Sequence, residues 1–247
     1  MKVSIITVSY NSAETIEETI QSVISQDYPS IEYIIIDGKS TDQTLDIVRK
    51  YEDKIATLVS EKDKGIYDAL NKGISMATGD IVGLLHADDL YANYQVISDV
   101  VAQFKQSHAD AVYADLNYVD RIDTNRIIRK WKSGEYKEGM FEKGWMPPHP
   151  TFFVKREYYT KYGLFNLKLR SSADYELMLR FIHVNKIRLS YLPKMIVNMR
   201  AGGQSNVSLM NRLKGNKEDR MAWELNNIKP GLFTLIRKPL SKLLQYL

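Results

Sequence analysis

Four short runs rich in β-branched residues, Val3–Val8, Ile31–Ile36, Ile55–Val59 and Ile81–Leu85, each end in polar residues and give way to apolar residues at helical spacing. After the first run come Ile16, Ile20, Val23 and Ile24; after the second, Leu45, Val48 and Tyr51; after the third, Ala69, Ile74 and Ala77. After the fourth come Val96, Ile97, Val100, Val101 and Phe104, within a helix predicted over 94–106. A run that is apolar at successive positions suits a strand covered on both faces, since alternate side chains point to opposite sides of a sheet. Strand and helix in alternation predict parallel strands joined by right-handed crossovers. The expected fold class is therefore α/β, a doubly wound, mostly parallel sheet with helices on both faces and Ile81–Leu85 near its centre. Further strands are expected at Ala109–Tyr113 and as a pair, Ile187–Tyr191 and Met195–Met199. Helices are expected near Lys155–Tyr162 and from Asp174 onward, the latter facing the core through Leu177, Leu179, Phe181 and Ile182.

In open sheets of this kind ligands bind beyond the carboxyl ends of the strands. Those ends carry Ser9-Tyr10-Asn11, Asp37, Asp63 and the adjacent Asp88 and Asp89. Paired carboxylates are hard oxygen ligands for Mg²⁺ or Mn²⁺, which is commonly shared with substrate phosphates; a solvated loop or a helix cap is the alternative. Tyr10 offers an aromatic face to a nucleobase, and Asp37 either accepts an N–H from uracil or guanine or caps the helix after it. No G-x-G-x-x-G follows the first strand and no G-x-x-x-x-G-K-[ST] occurs, which argues against a dinucleotide oxidoreductase and a P-loop enzyme. At 247 residues, 44% hydrophobic and 26% charged, the chain fills one large domain. It has no cysteine, which excludes disulfides and thiolate metal sites. The absence of a leader-like start or an 18-residue apolar run predicts a cytoplasmic protein, which membrane contact by the tail would bring to the inner face of the cytoplasmic membrane.

Read in order, Val3-Ser4-Ile5-Ile6-Thr7-Val8-Ser9-Tyr10-Asn11, Ile36-Asp37-Gly38-Lys39-Ser40-Thr41-Asp42-Gln43-Thr44, Ser60-Glu61-Lys62-Asp63-Lys64-Gly65-Ile66-Tyr67-Asp68-Ala69-Leu70-Asn71-Lys72-Gly73 and Gly79-Asp80 through Asp88-Asp89 resemble the inverting nucleotide-sugar glycosyltransferases of family two, which have the GT-A fold. The resemblance covers roughly residues 1–205. It implies a nucleotide-binding half over 1–115 and an acceptor and catalytic half over 116–205; residues 206–247, which it does not cover, are expected from their composition to form a helical basic tail. It further implies nucleotide contacts from Val8, Ser9, Tyr10 and Asp37, Asp63 near the base, and a metal at Asp88-Asp89, with Asp89 as ligand and Asp88 toward the ribose. His86 stands where many relatives begin that motif with an acid. Asp174 matches the family's general base, with Ala173 in place of a preceding acid; capping the helix is the other role open to Asp174, one that Ser172 can also fill. Ser205, in the Gly-Gly-x-Ser segment after Arg200, is expected with Arg200 to close on the diphosphate. No Q-x-x-R-W occurs, so one sugar per event is expected. The implied reaction is transfer of a hexose from a UDP sugar to a saccharide or lipid-diphosphate-linked acceptor in bacterial surface polysaccharide synthesis, O-antigen or exopolysaccharide.

Other stretches are read from their residues alone. Arg121, Arg126, Arg129, Lys130, Trp131 and Lys132 form a basic, aromatic stretch that flanks the acceptor side or is a solvated ribbon. Three prolines stiffen Met146–Val154 and hold His149, which is expected to touch acceptor or diphosphate unless it is structural. From Lys229 onward no acid occurs, and Leu232, Phe233, Leu235, Ile236, Leu240, Leu243, Leu244 and Leu247 alternate with Arg237, Lys238 and Lys242. Residues 229–247 are thus expected to make peripheral contact with an anionic membrane, or else to pack on the domain or a second subunit. A nucleotide-sugar-binding protein without turnover is an alternative that Asp174 opposes. A sugar-nucleotide pyrophosphorylase would open with a Gly-rich loop where this chain has Ser9-Tyr10-Asn11-Ser12. Nucleic-acid binding fits poorly, the basic residues gathering on a leucine-rich tail.

Overall fold

The computed structural model describes residues 1–202, 209–231 and 234. The first four strands are β1 (Val3–Ser9), β2 (Ile31–Asp37), β3 (Thr57–Ser60) and β4 (Ile81–Leu84). They pair in parallel in the order β3-β2-β1-β4. Alternate residues of β1 feed two cores. Ile6 and Val8 lie with Ile34, Ile36 and the helix α3 (Ile66–Met76), while Val3 and Ile5 lie with α1 (Ile16–Ile24), α2 (Thr44–Arg49) and α4 (Val96–Ser107). This two-sided burial is why these strands read as continuous apolar runs. Helix α3 approaches β1 closely at Gly73, where an added Cβ would stand 2.4 Å from Ile6 Cγ2.

Beyond β4 the sheet becomes mixed. It continues through β8 (Phe153–Lys155), antiparallel to β4, then β6 (Ala111–Val119), β9 (Leu189–Arg200) and β5 (Asp89–Tyr91), with β7 (Ile127–Trp131) also on β6. β6 and β9 are parallel; β5 is antiparallel to β9. The two strands expected over 187–199 are one strand, interrupted by a bulge. Ala114 pairs with Leu192 and Asp115 with Met195, so Pro193 and Lys194 have no opposite residue. Proline cannot donate to the ladder, and the bulge accommodates it. Helix α5 (Glu157–Tyr162) follows β8, and α6 (Ala173–Met178) runs on as a π-helical turn through Val184.

Helix α7 (Leu209–Leu225) opens the segment expected as a basic tail. It packs against α6: Ala222 and Trp223 are buried, and the Trp223 Nε1–H donates to the Tyr175 hydroxyl at 2.9 Å. Residues 235–247, which carry most of the expected membrane-contacting side chains, lie outside the described residues, as does Ser205. Among the described residues no helix is long and apolar enough to cross a membrane.

Candidate active site

The parallel register sets Ser9 opposite Asp37 and Asp37 opposite Ser60. Asp37 is fully buried, and its carboxylate accepts from Ser9 Oγ (3.2 Å), Ser60 Oγ (2.7 Å), the Ser40 backbone N–H (2.9 Å) and Ser40 Oγ. Four donors fill the lone-pair sites a carboxylate offers. Asp37 thus ties together the ends of three strands, and its side chain is taken up by the protein. Val8 and Ser9 are likewise buried below the edge, whereas Tyr10 is 64% exposed. A Cβ added to Gly38 would meet Asp63 Oδ2 at 3.2 Å and Tyr10 Cδ2 at 3.4 Å, so Tyr10 and Asp63 stand on either side of a bare backbone. Asp63 Oδ1 is held by Lys72 Nζ at 2.5 Å. An open aromatic face beside a fixed carboxylate is a surface that suits a planar, N–H-bearing ring.

The acidic pair sits where β4 turns into β5. The Asp89 N–H closes the turn on the His86 carbonyl at 3.0 Å. Asp89 is 2% exposed and Asp88 is half-buried. Burial pushes the Asp89 carboxyl well above the usual carboxylate range and the Asp88 charge adds to this, while the backbone N–H and the guanidinium of Arg200 oppose it. Arg200 is itself buried. Its guanidinium donates to the Asp88 carbonyl (2.8 Å), to Glu18 on α1 and to the Arg121 carbonyl (3.2 Å). The guanidinium expected on the diphosphate instead fastens the backbone of the acidic turn. Among the described residues no group of three or more His, Asp or Glu converges as a complete metal cage. A hard cation at this turn would take its remaining ligands from water and substrate oxygens, which is how Mg²⁺ is usually held.

Cutting Arg200 back to Ala strips donors from the Asp88 and Arg121 carbonyls and from the half-exposed Glu18 at once. It is expected to lower the unfolding free energy by about 1–3 kcal/mol in denaturant titration, the scale of losing hydrogen bonds from a charged donor. An unchanged midpoint would show that the turn holds itself.

Asp174 lies in the first turn of α6, and three elements converge on it. From α3, the Tyr67 hydroxyl donates to Oδ1 at 3.1 Å. From the proline-stiffened 3-10 turn His149–Thr151, His149 Nδ1 stands 3.5 Å from Oδ2. From the acidic turn, His86 Nε2 is 3.1 Å from His149 Nε2. Burial and the Asp174 charge push the Tyr67 hydroxyl well above its ordinary range, so it remains a donor. Burial, with the neighbouring His149, pushes His86 down to about 3 despite the opposing Asp174 charge, so His86 is neutral. With Asp174 ionised, the matching tautomers put Nδ1–H of His149 toward the carboxylate and Nε2–H of His86 toward His149. His86 Nδ1 is then a buried acceptor with no partner among the described residues. Ser172, at the head of α6, makes no side-chain cap bond, and the Asp174 carboxylate is engaged by Tyr67 and His149. Sequence reasoning did not find Tyr67 as the partner of Asp174, although Tyr67 lies inside one of the stretches that carry the resemblance. Nor did it find the two-histidine link between the acidic turn and Asp174.

The fold is that of the GT-A glycosyltransferases, and the chain belongs to glycosyl transferase family 2, whose model matches residues 4–163. It is 28% identical over 207 residues to a PGL/p-HBAD biosynthesis glycosyltransferase of Mycobacterium bovis, covering 82% of this chain and 78% of that one. It is 34% identical over 125 residues to the poly(ribitol-phosphate) beta-N-acetylglucosaminyltransferase TarS of Staphylococcus aureus, 49% of this chain and 22% of TarS. The structure of S. aureus TarS 1-349 in complex with UDP-GlcNAc superposes with a TM-score of 0.71 at 21% identity, over 96% of this chain and 69% of that one. The mannosyltransferase PcManGT of Pyrobaculum calidifontis, in complex with GDP-Man and Mn²⁺, superposes with a TM-score of 0.67 at 22% identity, over 98% and 69%. These similarities make the chain a glycosyltransferase with relatives in cell-surface glycan synthesis.

Proposed function

We propose that the chain transfers one sugar, with inversion, from a nucleoside diphosphate sugar to a saccharide or lipid-diphosphate-linked acceptor of a bacterial surface polysaccharide, and that Asp174 is the general base. The observation that carries this reading is the convergence of Tyr67 and His149 on Asp174, joined through His86 to the acidic turn. The nucleotide lies over the strand ends, with its base on Tyr10 and beside Asp63. Val8, Ser9 and Asp37 shape the floor beneath it. Asp88 and Asp89 would hold a divalent cation, Mn²⁺ or Mg²⁺, which would supply positive charge to the departing diphosphate. Asp88, the better exposed of the two carboxylates, would be the direct ligand.

In the transfer, Asp174 takes the proton of the acceptor hydroxyl as that oxygen bonds to the anomeric carbon. The bond from that carbon to the diphosphate breaks, and the nucleoside diphosphate leaves with the electron pair. Tyr67 holds one oxygen of the base and leaves the other, toward His149, for the proton. Donor classes are suggested by the relatives that bind UDP-GlcNAc and GDP-Man, and a UDP hexose is the proposed donor. The test is nucleoside diphosphate release across UDP and GDP sugars with lipid-diphosphate sugar acceptors, in Mn²⁺ and in Mg²⁺. One donor is expected to stand clear of the rest; nucleotide binding with no release from any donor would make this a binding protein.

A further inference from the structure

Helix α7 lies beyond the part of the chain that the family model matches, yet its side chains reach the segment that carries Asp174. A single oxygen of Glu218, Oε2, accepts from the backbone N–H of Arg170 (3.1 Å), Ser171 (2.8 Å) and Ser172 (3.1 Å) and from Ser171 Oγ (2.9 Å). Farther along, Trp223 donates to Tyr175 at 2.9 Å and Asn226 Nδ2 to Glu176 Oε1 at 3.0 Å. The residues on either side of Asp174 are thus tied at three points to α7 and to the residue that follows it.

The backbone N–H groups at a helix start have no partner within the helix, and a side chain at the cap position normally serves them. Ser172 occupies that position and makes no such bond. Glu218 reaches the amides just ahead of α6 instead, from an element far away in sequence. Without it, three successive amides lose their acceptor two to four residues before Asp174. A general base must be held to a fraction of an ångström, and a 1 Å misplacement costs roughly 10²-fold in rate.

We infer that Glu218 is a positioning residue: through the amides of Arg170–Ser172 it fixes the start of α6 and hence the carboxylate of Asp174. This rests on Asp174 being the base proposed above. It gives α7 a part in the chemistry without contact to substrate.

The experiment compares Glu218→Ala, Glu218→Gln and Asp174→Asn in the full chain. It measures amide hydrogen exchange and the kinetics of nucleoside diphosphate release from the donor that the panel above identifies. Glu218→Ala is expected to speed exchange at residues 170–172 by about tenfold or more, the effect of losing a hydrogen bond to a charged group. Exchange in β1 and β2 should be unchanged. Its kcat should fall roughly 10–100-fold, with KM for the donor within about twofold of the parent. Glu218→Gln keeps a carbonyl oxygen in reach of the same amides and should restore most of both losses. Should Glu218→Ala fail to fold, Asn226→Ala opens the clamp at its other end and should show the same split, smaller. An inactive Asp174→Asn beside a Glu218→Ala of parental kcat overturns the inference and leaves the base standing. Unchanged exchange at 170–172, or a loss that appears in KM alone, also overturns it. A fully active Asp174→Asn removes the base, and the inference with it.

Discussion

Replacing Asp174 by Asn is expected to slow sugar transfer by about 10²–10⁴-fold, the usual contribution of a general base, while nucleotide affinity stays near that of the parent chain. The amide has the shape of the carboxyl and still offers an oxygen to the Tyr67 hydroxyl, so the bond of 3.1 Å between α3 and α6 survives. What is lost is the ability to take a proton. In the proposed site the nucleotide rests on Tyr10, Gly38 and Asp63, away from α6, which is why the loss should fall on kcat. Steady-state kinetics beside calorimetric titration with UDP and Mn²⁺ separate the two quantities. Normal turnover in the Asn variant would reduce Asp174 to a structural role and turn attention to another acid. Glu176 is a poor candidate, being buried and bound to Arg180 at 2.9 Å.

The second large effect is expected at the acidic turn. Stripping the protein with a chelator should abolish transfer, and Mn²⁺ or Mg²⁺ should restore it, because the turn supplies only hard oxygen ligands. Asp88→Asn is expected to raise the Mn²⁺ concentration needed for half-maximal activity by at least the roughly 10–100-fold that replacing even an outer-shell partner of a metal site costs. Asp89→Asn acts differently, since that side chain is buried beside Arg200. It should change thermal stability as well as activity, and both acid substitutions should cost more activity than replacing His86. Metal-dependent activity profiles, read with thermal unfolding of each variant, distinguish these outcomes. Full activity in excess chelator after stripping would remove the metal from the mechanism.

The nucleotide half was legible because burial on both faces writes a strand as an unbroken apolar run and a parallel sheet delivers all its strand ends to one edge. Ser9, Asp37, Asp63 and Asp88-Asp89 could be placed at that edge from order alone. What order cannot convey is which way a polar side chain turns. Asp37 and Arg200 looked free to meet a ligand; the fold uses Asp37 to join three strands and Arg200 to hold the Asp88 carbonyl. The mixed half was harder to read, because β8 and β5 are three residues each, too short to show a period. The two pieces of β9 looked separate because Pro193 marks a bulge inside one strand. The partners of Asp174, and the residue that holds the amides ahead of it, were hidden for another reason: Tyr67, His149 and Glu218 come from three distant parts of the chain, and contacts of that range leave no local pattern.

Direct displacement assisted by one carboxylate carries a stereochemical signature, and the anomeric configuration of the first glycoside formed is the measurement that meets the central claim most directly. It is read by proton NMR on the isolated product of a single turnover from an α-linked nucleoside diphosphate sugar. Asp174 acting as base on the acceptor hydroxyl predicts a β-linked product, with about 10²-fold less of it, or lower still, from Asp174→Asn at the same enzyme concentration and time. An α-linked product would mean that the reaction proceeds with net retention, and the assignment of Asp174 as the base of a direct displacement would be wrong.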